Sequence, residues 1–307
     1  MAPPIHWTPP HDECECALPA EQTCNKNSGR SNQISIPEEY DLQGAKLATI
    51  IQAIAYRGIR EGCKKDACTI MDTNIKAARE AIAASTGSDE TNETIWKSIR
   101  KCTIHLQVQQ FLFKAIHNNP MVGEVWLNIE GFQQRGSCTP CATIENMNHI
   151  LISCTIGPVD IIWNLAKELW PYNNSQWLEI NLGTIFGCGW LTTKAKGNTR
   201  GRGSMLKQRG AMCLLQITIL EAAHLLWVLC CKRVIQEKKR THEEVIQRWL
   251  KVINRRFTDD EITATMIRKK DISFTQLVEA TWEDALRKIS DPHQQKTWEL
   301  IITYKYL

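Results

Sequence analysis

Glycine and proline are sparse, 16 and 11 in 307 residues, and no segment recurs at a fixed period, which excludes collagen-like and low-complexity architectures. Charge is also too modest for disorder: 23% of residues are charged against 43% hydrophobic, so the chain can bury a real core. Strand signals are few, and aromatic residues make up 7%. No Walker or dinucleotide-binding fingerprint occurs. Gly201-Arg202-Gly203 is a lone G-x-G with no strand before it. The opening stretch, Met1 to Pro10, has neither a basic n-region nor an apolar h-region, so a secretory leader is not expected there.

What is present begins with thirteen cysteines, an odd number without a secretory context. Disulfides are therefore not expected, and clustered Cys and His read as metal ligands or as small buried hydrophobes. The net charge of +4 conceals a strong asymmetry. Residues 1 to 41 hold seven carboxylates against two cations, whereas residues 194 to 256 hold fifteen Lys and Arg against four carboxylates. A basic stretch of this kind fits either a polyanion partner or a set of solvated helix faces.

Periodicity along the chain predicts a mainly α fold: a helical domain with a small Cys/His zinc-knuckle insertion and a poorly ordered N-terminal arm. The arm spans 1–40 and carries Pro3, Pro4, Pro9, Pro10, Pro19 and Pro37. An N-terminal helical region follows at 41–130, with an Ala-rich helix from Thr73 to Ala84 and a long amphipathic helix from Glu93 to His117, broken near Thr103. The knuckle occupies 131–157. A C-terminal helical region at 158–307 contains Val159 to Trp170, a basic loop over 194–210, an apolar helix from Ala211 to Cys231, a charged helix from Thr241 to Arg256 and a shorter one from Phe274 to Ile289. The apolar helix has about the ~20 residues a bilayer demands. Gln216, Glu221 and His224 across its middle favour the alternative, the buried axis of a helical domain.

The strongest chemical signal is Cys138, Cys141, His149 and Cys154, a C-x2-C-x7-H-x4-C spacing. Two thiolates on one tight turn reach a single ion at about 2.3 Å, and a following His and Cys close a tetrahedron without room for water, which makes such a site structural. The competing explanation is three buried thiols and a core histidine that fall together by chance. Cys14 with Cys16, Cys63 with Cys68, and Cys230 with Cys231 lack a nearby His and read as ordinary thiols. A second signal is the basic run Lys194, Lys196, Arg200, Arg202, Lys207 and Arg209, interleaved with glycine and free of carboxylates, which is either a phosphate-contacting loop or a solvated one. The arm's acids are adjacent in sequence, unlike a two-metal carboxylate site, so catalysis is not expected.

Taken in order, several stretches resemble the C-terminal tail of non-LTR (LINE-like) retrotransposon polyproteins of fungal type. They are Asp41 to Leu47 with Gln52 to Tyr56, Ile95 to Arg100, Phe111 to Lys114, the knuckle with Glu145, His149, Ile150 and Leu151, Leu165 to Trp170, and Glu221 to Trp227. In that family the knuckle is a reverse-transcriptase zinc-binding region, and the resemblance implies zinc on Cys138, Cys141, His149 and Cys154. Ile5 to His11 is similar to the W-x-P-G-H stretch near the end of a ribonuclease H domain, with Pro10 in place of Gly. The polymerase palm and an intact ribonuclease H domain do not fit in the chain. The resemblance thus implies a non-catalytic, zinc-binding module for RNA or DNA, intracellular, in nucleus or cytoplasm, with no membrane and no small-molecule substrate. The alternative is a structural or protein-interaction helical domain in which zinc is only a staple.

Overall fold

Ten consecutive buried residues, Leu214 to Ala223, mark the axis of the fold: a helix buried on every side has no polar face to offer solvent. The structure, a computed structural model, describes residues 69–101, 103–139, 141–155, 157–172, 177–192, 202–267 and 272–289, with Gln52 and Tyr56. Residues 1–64 and 65–307 form two units, and every element below belongs to the second. The expected arm at 1–40, Cys14, Cys16, Cys63 and Cys68 lie outside the described residues.

The unit is mainly α. In chain order the helices are α1 (Thr69–Thr86), α2 (Asn92–Ser98), α3 (Leu106–Ile116), α4 (Glu124–Leu127), α5 (Val159–Leu169), α6 (Leu182–Phe186), α7 (Arg202–Gln236), α8 (His242–Ile267) and α9 (Ile272–Ile289). Between α4 and α5 sit a 3-10 turn (Gln133–Gly136), a two-stranded ladder of β1 (Ser137–Cys138) and β2 (Thr143–Ile144), and a π-helical turn (His149–Ser153).

Local sequence accounts for most of the boundaries. Thr91 caps α2 by accepting from Thr94 N. Asn181 and Thr184 form a reciprocal capping box on α6, and Thr241 with Glu244 forms another on α8, with Glu244 N donating to Thr241 Oγ1 and Thr241 N to Glu244 Oε2. After α3, Asn118 adopts φ 51°, the left-handed residue that ends many helices. Trp170 turns extended before Pro171, which stops α5. The long 93–117 helix is indeed two pieces, with the break spanning 99–105.

The basic loop expected over 194–210 is corrected in its second half. Residues 202–210 are the first turns of α7, which runs 35 residues and about 52 Å. Glycine there serves packing: a Cβ on Gly210 would sit 2.3 Å from the carbonyl oxygen of Ala280, so only glycine lets α9 approach α7 this closely. α8 likewise continues past Arg256 to Ile267, because Phe257 and Ala264 extend its buried stripe.

Helices α3, α5, α6, α8 and α9 and the π turn pack around α7. The polar groups on this axis are satisfied: Thr218 Oγ1 donates to Leu214 O (2.7 Å) and Gln216 Nε2 to Gly189 O (3.3 Å). By length and composition α7 is apolar enough to cross a membrane, and 72% of its most apolar window is buried against the rest of the protein. Leu225 is 5% exposed. Leu225→Ala is expected to cost about 2–5 kcal/mol in urea unfolding, the range for a buried leucine. A cost below about 1 kcal/mol would place this helix outside the cooperative core.

Candidate metal centre

The knuckle is built by three short backbone devices. Cys138 O accepts from both Cys141 N (3.1 Å) and Ala142 N (2.8 Å), a tight turn completed by Ala142 at φ 53°. The chain then pairs back on itself, Ser137 opposite Ile144 and Cys138 opposite Thr143. Asn146 Oδ1 accepts from His149 N (2.8 Å) at the start of the π turn, and Cys154 N donates to His149 O (3.0 Å) at its end. That i to i+5 closure brings His149 and Cys154 together, as their spacing suggested. Trp163 Nε1 donates to Leu151 O (2.8 Å) and ties the turn to α5. Gly123, at φ +54°, lies so close to Glu145 that a Cβ would fall 2.1 Å from its carbonyl oxygen.

These devices assemble all four expected ligands. One ligand atom from each of Cys138, Cys141, His149 and Cys154 lies within 4.8 Å of every other. The Sγ of Cys154 is 4.0 Å from that of Cys138 and 3.7 Å from that of Cys141. Bonds of about 2.3 Å to one tetrahedral ion would place two sulfurs roughly 3.8 Å apart, so these separations match a shared ion. His149 is 8% exposed, and its Nε2 is buried with no hydrogen-bond partner. An orphaned buried polar atom costs about 1–3 kcal/mol, a penalty that coordination removes. The donor set therefore fits a soft or borderline divalent metal.

Arg233, from the last turns of α7, supplies the electrostatics. It donates to Glu145 Oε1, and it reaches Cys138 Sγ at 3.7 Å and Cys230 Sγ at 3.6 Å. Glu145 is 3% exposed. Burial works against the charge on Arg233, and Glu145 together with Cys230 and Cys138 more than offsets it, so the guanidinium stays charged. Burial pushes the Cys138 thiol up to about 12, with the Cys141 backbone N–H and Arg233 pulling the other way. A metal ion would displace that proton and gain a thiolate already facing a cation. Burial also raises Cys230, to about 12, and Cys231, to about 11, consistent with inert packed thiols. Sequence spacing marks neither Arg233 nor its pairing with Glu145. In the sequence Arg233 is one of several cations that follow the apolar helix.

The basic run is only partly within view. Lys194, Lys196 and Arg200 lie outside the described residues, Arg202 begins α7, and Lys207 and Arg209 are exposed on its first turns. The structure does not bring these last residues to the knuckle ligands. Compared with known proteins, the chain matches no family model, no curated sequence and no solved structure.

Proposed function

We propose that the chain is a non-catalytic zinc-knuckle protein that binds nucleic acid and descends from the C-terminal tail of a non-LTR retrotransposon polyprotein. The observation that carries this reading is the four-ligand cluster, whose three thiols and imidazole place ligand atoms within 4.8 Å of one another. Four protein ligands leave no open position for water or substrate, which supports a structural rather than catalytic ion. Zinc is favoured by the thiolate-rich set. The excess of cations over 194–256 supports a polyanion partner, RNA or DNA, in an intracellular setting. Metal analysis of the purified chain, with RNA and DNA binding measured at two salt concentrations, tests the proposal. One zinc per chain and an affinity that falls with salt are expected. Metal-free protein with a folded knuckle, or binding indifferent to salt, would overturn it.

A second reading has its own support. Around the knuckle, Met121, Val125, Leu127, Phe132 and Ile144 are exposed apolar residues, with Phe132 at 40% and Ile144 at 48%. An apolar rim suits a protein partner, with the metal as a staple only. Zinc bound stoichiometrically without any affinity for nucleic acid would favour this alternative.

A further inference from the structure

We propose that the recess between α7 and α8 is a binding site for single-stranded nucleic acid, with Lys232, Arg248, Lys251 and Arg255 on its phosphates. This assignment rests on the nucleic-acid reading above and moves its centre away from the basic run at 194–210. The recess has a volume of ≈ 550 Å³. Its α7 wall is Glu221, Leu225, Val228 and Lys232, and its α8 wall is Arg248, Val252, Arg255 and Asp259. Each set recurs at three- and four-residue intervals, so each forms one stripe along its helix.

Charge is sorted along these stripes. Glu221, the carboxylate on α7, is already engaged, by His105 Nδ1 at 3.2 Å and by Arg256 at 3.9 Å. Asp259 faces Arg255 at 3.7 Å in an exposed pair of little strength. Among the described residues, no carboxylate lies within 4.0 Å of Lys232, Arg248 or Lys251. The acids are thus engaged where they stand, and Lys232, Arg248 and Lys251 are left without a carboxylate partner among the described residues. Arg248, Lys251 and Arg255 follow one another at about 4.5–6 Å along the helix axis. The exposed Lys238 and Lys239, in the α7–α8 connection, add charge beyond the stripes. A line of cations longer than the recess suits a repeating phosphate backbone. Between the cations, exposed Leu106 and half-buried Val228 and Val252 offer apolar surface for bases. A base of a single strand can enter this recess, whereas a duplex keeps its bases stacked inside.

The test uses the full chain and labelled oligouridylate or oligothymidylate, with a duplex for comparison, in fluorescence anisotropy over a salt series. A K232Q/R248Q/K251Q variant should bind the single strand about 100-fold more weakly at about 0.1 M salt, with a log-log salt slope shallower by roughly 2, at about 0.7 per lost contact. Charge-preserving K232R/R248K/K251R should retain affinity, and K76Q/K97Q, on exposed sites of α1 and α2, should behave as wild type. Thermal unfolding checks that the triple variant is folded, and Lys251→Glu alone, at an exposed position, should weaken binding in the same direction. Wild-type affinity in a folded triple variant, or equal affinity for duplex and single strand, overturns the recess assignment while leaving nucleic-acid binding intact. No binding by the wild-type chain removes both.

Discussion

Cys154→Ser should abolish stoichiometric metal binding and open the knuckle while leaving most of the helical signal in place. The Sγ of Cys154 lies 4.0 Å from that of Cys138 and 3.7 Å from that of Cys141. Its backbone N–H also closes the π turn on His149. Structural zinc sites in isolated finger peptides are worth about 10–16 kcal/mol of folding free energy, so loss of one of four ligands is not a small perturbation. Without the ion, the His149 imidazole is again a buried group with no partner, and Glu145 and Arg233 lose the thiolate they flank. The damage should stay local. The ladder β1–β2 has only two residues per strand, whereas the helices around α7 bury their own apolar surface. Metal analysis should fall from one ion per chain to none, and hydrogen exchange should rise over 133–155 with far-ultraviolet dichroism nearly unchanged. Retention of the metal, or protection over the knuckle equal to that of wild type, would show that the cluster is a set of packed thiols.

The four ligands were legible because their chemistry is local: seventeen consecutive positions contain the whole set, and two short turns bring it together. What supports them was not legible. Glu145 and Arg233 are 88 residues apart, and no periodicity links a knuckle carboxylate to the end of a distant helix. Helix positions followed from periodicity and punctuation. Pro171 stops α5 as the sequence suggests. The start of α7 was missed because Gly203 and Gly210 read as loop signals, while at Gly210 the missing side chain is what α9 packs against. The extension of α8 past Arg256 is not marked in the sequence, where Asp259, Asp260 and Glu261 form an acidic run. Asp260 instead turns inward to Arg256. Glu221 belongs to the same network. Glu221 meets His105 and Arg256, and His224 lies against Phe111 with ring centroids 5.7 Å apart.

Arg256→Met should destabilise the protein by about 3–5 kcal/mol, the cost of breaking a buried ion pair from one side. Arg256 is 5% exposed. Its Nε donates to both carboxylate oxygens of Asp260 at 3.1 Å, its Nη2 donates to Thr103 O at 2.6 Å, and its Nη1 lies 3.9 Å from Glu221. Asp260 also accepts from Trp282 Nε1 on α9 at 3.0 Å. One guanidinium therefore joins α7, α8, the break between α2 and α3 and, through Asp260, α9. Methionine fills much of the volume but leaves buried Glu221 and partly buried Asp260 beside an apolar chain. In a unit of this size the loss corresponds to a fall in Tm of roughly 10 °C, at about 2–4 °C per kcal/mol. A double-mutant cycle separates the ion pair from simple packing: adding Glu221→Gln to Arg256→Met removes one stranded charge and should recover about 1 kcal/mol or more. If Glu221→Gln instead adds its full single-variant cost, the two residues are not coupled, and packing rather than charge holds α8 against α7 at this point.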